Sequence, residues 1–210
     1  VPNFADITVA GVTMSDGTYL ANGADATATD EPTGGYAYYC DGVLTLNNFE
    51  FTGDLDEVIY TENDLTINLV GASSIINEYD AIYVEGNLVI DGEGSLDITA
   101  DVGIGGCSAL DINGGVINIA DDPVGTVYVY FGIEVDVVNM NGGSLYINAI
   151  FYGSGIGAKG IIINDGKIVI IAHDFGIRAH SINIYGGSVD VKSMRTGEGS
   201  DDENYQAFTS

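Results

Sequence analysis

The chain has 210 residues, of which 31 are acidic and five are Lys or Arg, so its formal net charge is −26 at pH 7. Such a surface repels the phosphates of nucleic acids and of anionic membranes, and we expect neither as a partner. No run of about 18 apolar residues occurs, so no membrane insertion is expected. Hydrophobic residues make up 46% of the chain and glycines number 30, a composition typical of many short strands separated by turns.

The first 38 residues fit poorly to the pattern that follows them. The stretch "ITVAGVTM" predicts a strand, and the Gly- and Asp-rich residues after it predict a loop-rich cover. A stacked β-structure needs a cover at its end, because an unpaired strand edge invites further strands. We therefore interpret residues 1–38 as an N-terminal cap.

Residues 39–195 carry a repeat of about 22 residues, which contains three short strands per unit. Each strand contributes one column of apolar residues. The first column is Leu44, Leu65, Leu88, Leu110, Val138, Ile161 and Ile182. The second column is Phe51, Ile75, Leu96, Ile117, Leu145, Ile168 and Val189. The third column is Ile59, Ile82, Ile104, Ile133, Ile156 and Ile177.

Independent hairpins have no reason to share one period, whereas stacked three-sided rungs must share it. The columns therefore predict an all-β, single-domain, right-handed parallel β-helix of about seven rungs. The right-handed sense follows from the general preference of crossovers between parallel strands. A β-sandwich is the alternative fold, but it does not predict three columns in step.

A polar residue follows the first strand of nearly every repeat. These residues are Asn47, Asn68, Asp91, Asn113, Asn141 and Asn164. They favour a left-handed turn, and we expect their side chains to stack and hydrogen-bond at one corner of the coil. Cys40 and Cys107 fall several rungs apart, which is beyond disulfide reach, so we predict two free thiols.

The loops between the second and third strands vary most and emerge along one edge of the coil. Variable loops on a rigid scaffold often carry binding residues, and flat aromatic rings pack against sugar rings. The residues predicted to bind carbohydrate in these loops are Tyr79, Tyr128, Tyr130, Phe151, Tyr152 and Phe175. The alternative is that some of these rings only pack between neighbouring loops.

The third strands add further candidates on their outward side. Tyr60 and Tyr83 are expected to stack on adjacent rungs and to extend the carbohydrate-binding set. Glu62 and Glu85 should stack likewise, where like charges repel unless they share a proton or a cation. Carboxylate oxygens suit Ca²⁺. The predicted calcium ligands are Glu62, Glu85, Asp121 and Asp122. The alternative is that these carboxylates are simply solvated.

No catalytic residue is predicted. A calcium-dependent lyase needs a basic proton acceptor, for which Arg178 and Lys159 are the candidates in the repeat, and Arg178 is expected near the column of Glu134. His173, beside Asp174, is the histidine best placed to transfer a proton. Residues 196–210 are polar and charged, and we interpret them as a C-terminal tail.

The rungs "LTLNNFEFTG", "NDLTINLVGASSIIN", "AIYVEGNLVIDGEGSLDI" and "GIRAHSINIYGGSVDV" resemble the repeats of pectate-lyase-like right-handed β-helices. More closely, they resemble the carbohydrate-binding β-helix family of bacterial, clostridial-type cell-surface proteins, over residues 40–192. The resemblance implies a secreted or cell-surface location, a polysaccharide or cell-wall glycan as partner, and bound calcium.

These observations together predict a non-catalytic, extracellular polysaccharide-binding module that calcium assists. A structural or adhesive spacer without a ligand and a calcium-dependent polysaccharide lyase remain the alternatives. A fold alone does not establish a function, so the positions of the candidate side chains decide among them.

Overall fold

The computed structural model describes residues 6–194 and 206–208, and every regular element in them is a β-strand. None of these residues forms a helix able to cross a membrane. In chain order, the strands are β1 (Ile7–Val9), β2 (Val12–Met14), β3 (Thr18–Ala21), β4 (Tyr36–Cys40), β5 (Val43–Asn47), β6 (Glu50–Gly53), β7 (Glu57–Thr61), β8 (Leu65–Val70), β9 (Ala72–Asn77), β10 (Asp80–Val84), β11 (Asn87–Gly92), β12 (Ser95–Thr99), β13 (Val102–Gly105), β14 (Ala109–Ile112), β15 (Val116–Ala120), β16 (Phe131–Met140), β17 (Ser144–Ala149), β18 (Ser154–Ile163), β19 (Lys167–Ala172), β20 (Ile177–Ile184), β21 (Ser188–Ser193) and β22 (Gln206–Phe208).

From β5 onwards the chain winds as a β-solenoid with three faces. The first face stacks β5, β8, β11, β14 and the second halves of β16, β18 and β20. The second face is a sheet of seven strands, from β6 to β21. The third face stacks β7, β10, β13 and the first halves of β16, β18 and β20.

Neighbouring strands on all three faces run parallel. This confirms the predicted all-β, single-domain parallel β-helix with three strands per turn and about seven turns. The right-handed sense of the coil stays a prediction from the general crossover preference. In the later turns the third and first strands merge, so that β16 and β18 each run for 10 residues across a face boundary.

The three apolar columns form the core inside the coil. The third column is paired as predicted, and its isoleucines are at most 1% exposed. The first column is paired as predicted from Leu65 to Ile182. Since one side of each strand of the coil points inward, this arrangement buries a continuous apolar core behind the three faces.

Two predicted registers are wrong by two residues near the N-terminal end. Leu44 pairs with Ile67 rather than with Leu65, and Ile75 pairs with Ile98 rather than with Leu96. A shift of two residues keeps every side chain on its own side of the sheet, so the apolar alternation does not oppose it.

The polar residues at the corner between the first and second faces stack in part as predicted. Asn141 donates from Nδ2 to Asn113 Oδ1 at 2.9 Å, and Asn164 donates in the same way to Asn141 at 2.8 Å. These three asparagines form the asparagine ladder. The left-handed backbone lies two residues after each of them, at Gly115, Gly143 and Gly166. The asparagines therefore link the turns, while the glycines make the bend.

Antiparallel strands close the N-terminal end. The strand β1 pairs with β7, which covers the third face, and β4 pairs with β5, which covers the first face. The antiparallel pairing extends to Cys40, whereas the predicted cap ends at residue 38. Cys40 and Cys107 are both free, as predicted, and burial raises the pKa of the Cys107 thiol to about 12.

Part of the predicted C-terminal tail has a position in the fold. The strand β22 pairs antiparallel with the first half of β20, matching Ala207 to Arg178. It therefore covers the last turn on the third face. Residues 196–205, 209 and 210 of the predicted tail, and residue 195 at the end of the predicted repeat, lie outside the described residues.

Candidate functional site

The corner between the second and third faces gathers three exposed aromatic rings. Tyr128 lies edge-on to Phe151 and Tyr152, with ring centroids 5.4 and 5.7 Å apart. Tyr128 and Phe151 are each 41% exposed, and Tyr152 is 65% exposed. We name these three residues the aromatic corner. The rings pack on one another, as the alternative interpretation held, yet they still present apolar surface to solvent.

A buried carboxylate holds the aromatic corner together. Asp121 is 8% exposed. Its Oδ1 accepts the backbone N–H of Val129 at 2.7 Å, and its Oδ2 accepts those of Ile150 and Phe151 at 2.6 and 3.2 Å. Because these donors belong to consecutive turns, Asp121 ties the loop that carries Tyr128 to the loop that carries Phe151.

The neighbouring Asp122 folds the same loop on itself. Its carboxylate accepts hydrogen bonds from the Thr126 hydroxyl, from the Val124 backbone N–H at 3.0 Å and from the Thr126 backbone N–H at 3.3 Å. The Thr126 hydroxyl, followed by the Val124 N–H, lowers the pKa of Asp122. Asp121 and Asp122 therefore both have structural partners within the loops.

The other aromatic candidates lie at the same corner but have different surroundings. Tyr79 is 48% exposed and directly precedes β10. Tyr130 is 57% exposed and lies edge-on to Phe131, with the centroids 4.9 Å apart. Phe175 is half-buried, and the guanidinium carbon of Arg178 lies 5.6 Å from its ring centroid. The structure thus places all six predicted loop aromatics along one corner.

The predicted tyrosine stack on the third face is present. Tyr60 pairs with Tyr83 across β7 and β10, and their rings lie 6.3 Å apart at an interplanar angle of 22°. The Tyr60 hydroxyl donates to Glu85 Oε1 at 3.3 Å. Burial and the carboxylates of Glu85 and Glu62 raise the pKa of Tyr60.

A groove with a volume of about 380 Å³ begins at Tyr83 and runs along the third face, parallel to the axis of the solenoid. We name it the third-face groove. Its lining residues are Asp80, Tyr83, Val102, Gly105, Gly106, Glu134, Val135, Asp136, Gly157, Ala158, Lys159, Arg178 and His180. The groove gathers two of the five Lys and Arg residues of the chain. Charges of both signs therefore line one depression of an otherwise strongly acidic protein.

The strand register fixes the order of side chains along this groove. Tyr83, Gly105, Glu134, Gly157 and Arg178 occupy one column on successive turns. Arg178 therefore shares the column of Glu134, as predicted. Each step is one strand spacing, so Glu134 and Arg178 stand roughly 10 Å apart along the axis, with Gly157 between them.

A second column of side chains, on β16 and β18, places charged groups at the edge of the third-face groove. Lys159 binds Asp136 at 2.7 Å across β18 and β16. Both side chains are at least half exposed, so this ion pair contributes little to stability. At the start of β10, burial raises the pKa of Asp80 to about 6, with smaller contributions from the charges of Asp101, Glu57 and Glu134. Burial also raises the pKa of Asp101.

The predicted calcium ligands do not form one site. Glu62 and Glu85 follow β7 and β10 at the corner between the third and first faces, while Asp121 and Asp122 follow β15 at the aromatic corner. Within the described part of the chain, the one group of three potential ligands whose atoms lie within 4.8 Å of one another is Asp16, Cys40 and Asp41. We assign no ion to that group, because exposed acidic groups often lie together without one.

The sequence did not predict several residues of the third-face groove as binding residues, including Asp80, Glu134 and Gly157. Glu134 and Arg178 were predicted only as neighbours. Gly157 carries a signal that was available: it occupies an outward strand position where the two adjacent turns have Glu134 and Arg178. A glycine inside a strand often marks close approach of another group.

Comparisons with protein-family models, with curated proteins and with solved structures gave no match to this chain. Inferences about its function therefore depend on the fold and on the contacts described above.

Proposed function

We propose that this chain is a non-catalytic, extracellular polysaccharide-binding module, secreted or displayed on a bacterial surface, of the kind that its resemblance to pectate-lyase-like cell-surface β-helices implies. The observation that carries the proposal is the aromatic corner. It exposes Tyr128, Phe151 and Tyr152 side by side, with Tyr128 in edge-on contact with both of the other rings.

Sugar rings have one apolar face and a rim of hydroxyl groups. A surface that binds them needs apolar groups for the face and hydrogen-bonding groups for the hydroxyls. The aromatic corner offers flat apolar rings, and the third-face groove offers carboxylates together with Arg178 and Lys159. Phe175 follows β19 at the same corner as these rings, and the guanidinium carbon of Arg178 lies 5.6 Å from its ring centroid. A few polar groups that converge beside apolar surface are typical of carbohydrate and small-molecule sites.

A glycan array tests the proposal, with Tyr128→Ala and Tyr152→Ala as variants. We expect the wild-type chain to bind a subset of polysaccharides and both variants to bind them more weakly. Tyr185→Ala is the matched control, because Tyr185 is 75% exposed at a different corner, between the first and second faces. Absence of binding to any glycan would leave a structural or adhesive spacer as the better description.

We propose that calcium binds at Glu62 and Glu85. These carboxylates occupy equivalent positions after Thr61 and Val84, which are paired, so they lie about one strand spacing apart. Calcium prefers six to eight oxygen ligands, and this pair supplies at most about four. A thermal-shift titration with calcium tests the site: a rise in Tm that Glu62→Gln abolishes supports it, and an unchanged Tm makes both carboxylates ordinary surface groups.

A polysaccharide lyase is the second candidate, because the groove places Arg178 in the column of Glu134 and brings Lys159 and His180 to the same depression. Such an enzyme would leave unsaturated sugar ends that absorb ultraviolet light. Their formation during incubation with acidic polysaccharides, and its loss in Arg178→Ala, would replace the non-catalytic proposal with a catalytic one.

A further inference from the structure

Most glycines near the third face are required by the solenoid itself. Gly103 and Gly132 point inward, and a Cβ on either would lie 2.6 or 2.7 Å from the carbonyl oxygen of the next turn. Gly105 points outward, but it is buried, and an added Cβ would lie 3.3 Å from Val102 Cγ1, which is tighter than an ordinary contact, and 3.5 Å from Tyr83 Cδ2. These glycines make room for other parts of the same chain.

Gly157 differs from them. It is half-buried in the groove, its backbone is outside the left-handed region, and an added Cβ would meet nothing closer than Phe131 Cε1 at 3.6 Å. That distance is an ordinary van der Waals contact. A glycine within a strand costs about 0.5–1 kcal/mol relative to alanine. The backbone at position 157 therefore has room for a side chain, and alanine there would make the fold more stable, yet the residue is glycine.

The walls of this depression have a defined chemistry. Its floor and side are apolar, formed by Gly157 and the ring edge of Phe131. On the preceding turn stands the Glu134 carboxylate, an acceptor, and on the following turn stands the Arg178 guanidinium, a donor. The strand positions that carry the acceptor and the donor thus flank an apolar pit and lie roughly 10 Å apart along the axis.

An acetamido group has the complementary pattern. Its methyl group would fill the pit against Phe131, its N–H would donate to Glu134, and its carbonyl oxygen would accept from Arg178. We infer that the third-face groove is a subsite for glycans that carry N-acetylated amino sugars, with the acetamido group over Gly157. This inference depends on the proposed function, and it adds the class of sugar and the residues that select it.

Two ligands that differ only at the C2 substituent provide the test. Chitohexaose carries acetamido groups and cellohexaose carries hydroxyl groups, while both are neutral and β-1,4-linked. In titration calorimetry with the wild-type chain, we expect chitohexaose to bind at least about tenfold more tightly, which corresponds to about 1.4 kcal/mol.

Gly157→Ala fills the pit without a steric conflict inside the protein, so we expect the preference for chitohexaose to disappear while Tm stays equal or rises. Gly160→Ala is the matched control: it lies in the same strand, outside the groove, and its added Cβ would lie 3.5 Å from Ser181 Oγ. This control should keep the preference.

Three results would overturn the inference: failure of the wild-type chain to bind chitohexaose, equal affinity for the two hexaoses, or a preference that survives in Gly157→Ala. If the chain binds other glycans through Tyr128 and Tyr152 in any of these cases, the proposed function stands and only the acetamido subsite fails. If the chain binds no glycan at all, the proposed function fails as well.

Discussion

Replacing Asp121 with alanine should destabilise the protein more than truncating the neighbouring Asp122, because three backbone N–H groups on two turns depend on the Asp121 side chain. The Val129 donor is buried, and leaving it unsatisfied costs about 1–3 kcal/mol. The donors of Ile150 and Phe151 are partly buried and can regain water, so each loses about 0.5–1 kcal/mol. The expected total is about 3 kcal/mol, a large share of the roughly 5–15 kcal/mol typical of a domain.

Urea denaturation measures this loss. The chain has 13 tyrosines and no tryptophan, so tyrosine fluorescence can follow unfolding. We expect the midpoint to fall while the slope against urea concentration stays unchanged, which indicates lower stability without a change in the unfolded state. Asp122→Ala is the control. Among the described residues, the Asp122 carboxylate accepts hydrogen bonds only from its own loop, so the midpoint of this variant should fall less.

Two results would refute this reasoning. If Asp121→Ala loses no more stability than Asp122→Ala, the three hydrogen bonds do not hold the loops. If calcium stabilises the wild-type chain and this stabilisation vanishes in Asp121→Ala, the carboxylate is a calcium ligand as the sequence predicted, and its bonds to the backbone are secondary.

Three further predictions concern the pH response, the asparagine ladder and the inward glycines. The pKa of Asp80 is raised from 3.8 to about 6. The folded protein therefore loses stability as the pH rises through this range, because ionising this carboxyl is less favourable in the folded state. Asparagine does not ionise, so the difference in Tm between Asp80→Asn and wild type should grow in favour of the variant between about pH 4 and pH 7. An unchanged Tm difference across these pH values would contradict it. Asn141→Ala removes two exposed ladder hydrogen bonds and should cost about 1 kcal/mol in urea denaturation, whereas an unaltered midpoint would show that the ladder adds nothing. Gly155→Ala would place a Cβ against the Gly176 carbonyl oxygen and should cost about 1–3 kcal/mol, while Gly157→Ala, two residues further on, should cost nothing; equal losses would show that the two glycines share one structural role.

The fold could be predicted because its signal is repeated. One apolar column such as Ile59 to Ile177 is sampled on every turn, so a single irregular residue does not hide the period. The registers of Leu44 and Ile75 were wrong for a different reason. At each place a strand could slide by two residues and still bury apolar groups, and the neighbouring strand β4 and the inward Ser73 decide the outcome.

The candidate site was predictable only in part. The stacking of Tyr60 on Tyr83 and the alignment of Arg178 with Glu134 follow directly from the period, and both are confirmed. The role of Asp121 was not predictable, because the length of its loop does not reveal where the loop returns. The sequence does not distinguish a carboxylate that accepts three backbone hydrogen bonds from one that binds a cation.

The two ends of the coil are covered unequally among the described strands. Antiparallel strands cover both the first and the third faces at the start, whereas β22 covers only the third face at the end. Because β22 pairs with the first half of β20, it should slow amide hydrogen exchange there. Since Arg178 pairs with Ala207 of β22, the same strand should hold the far wall of the third-face groove in place on warming.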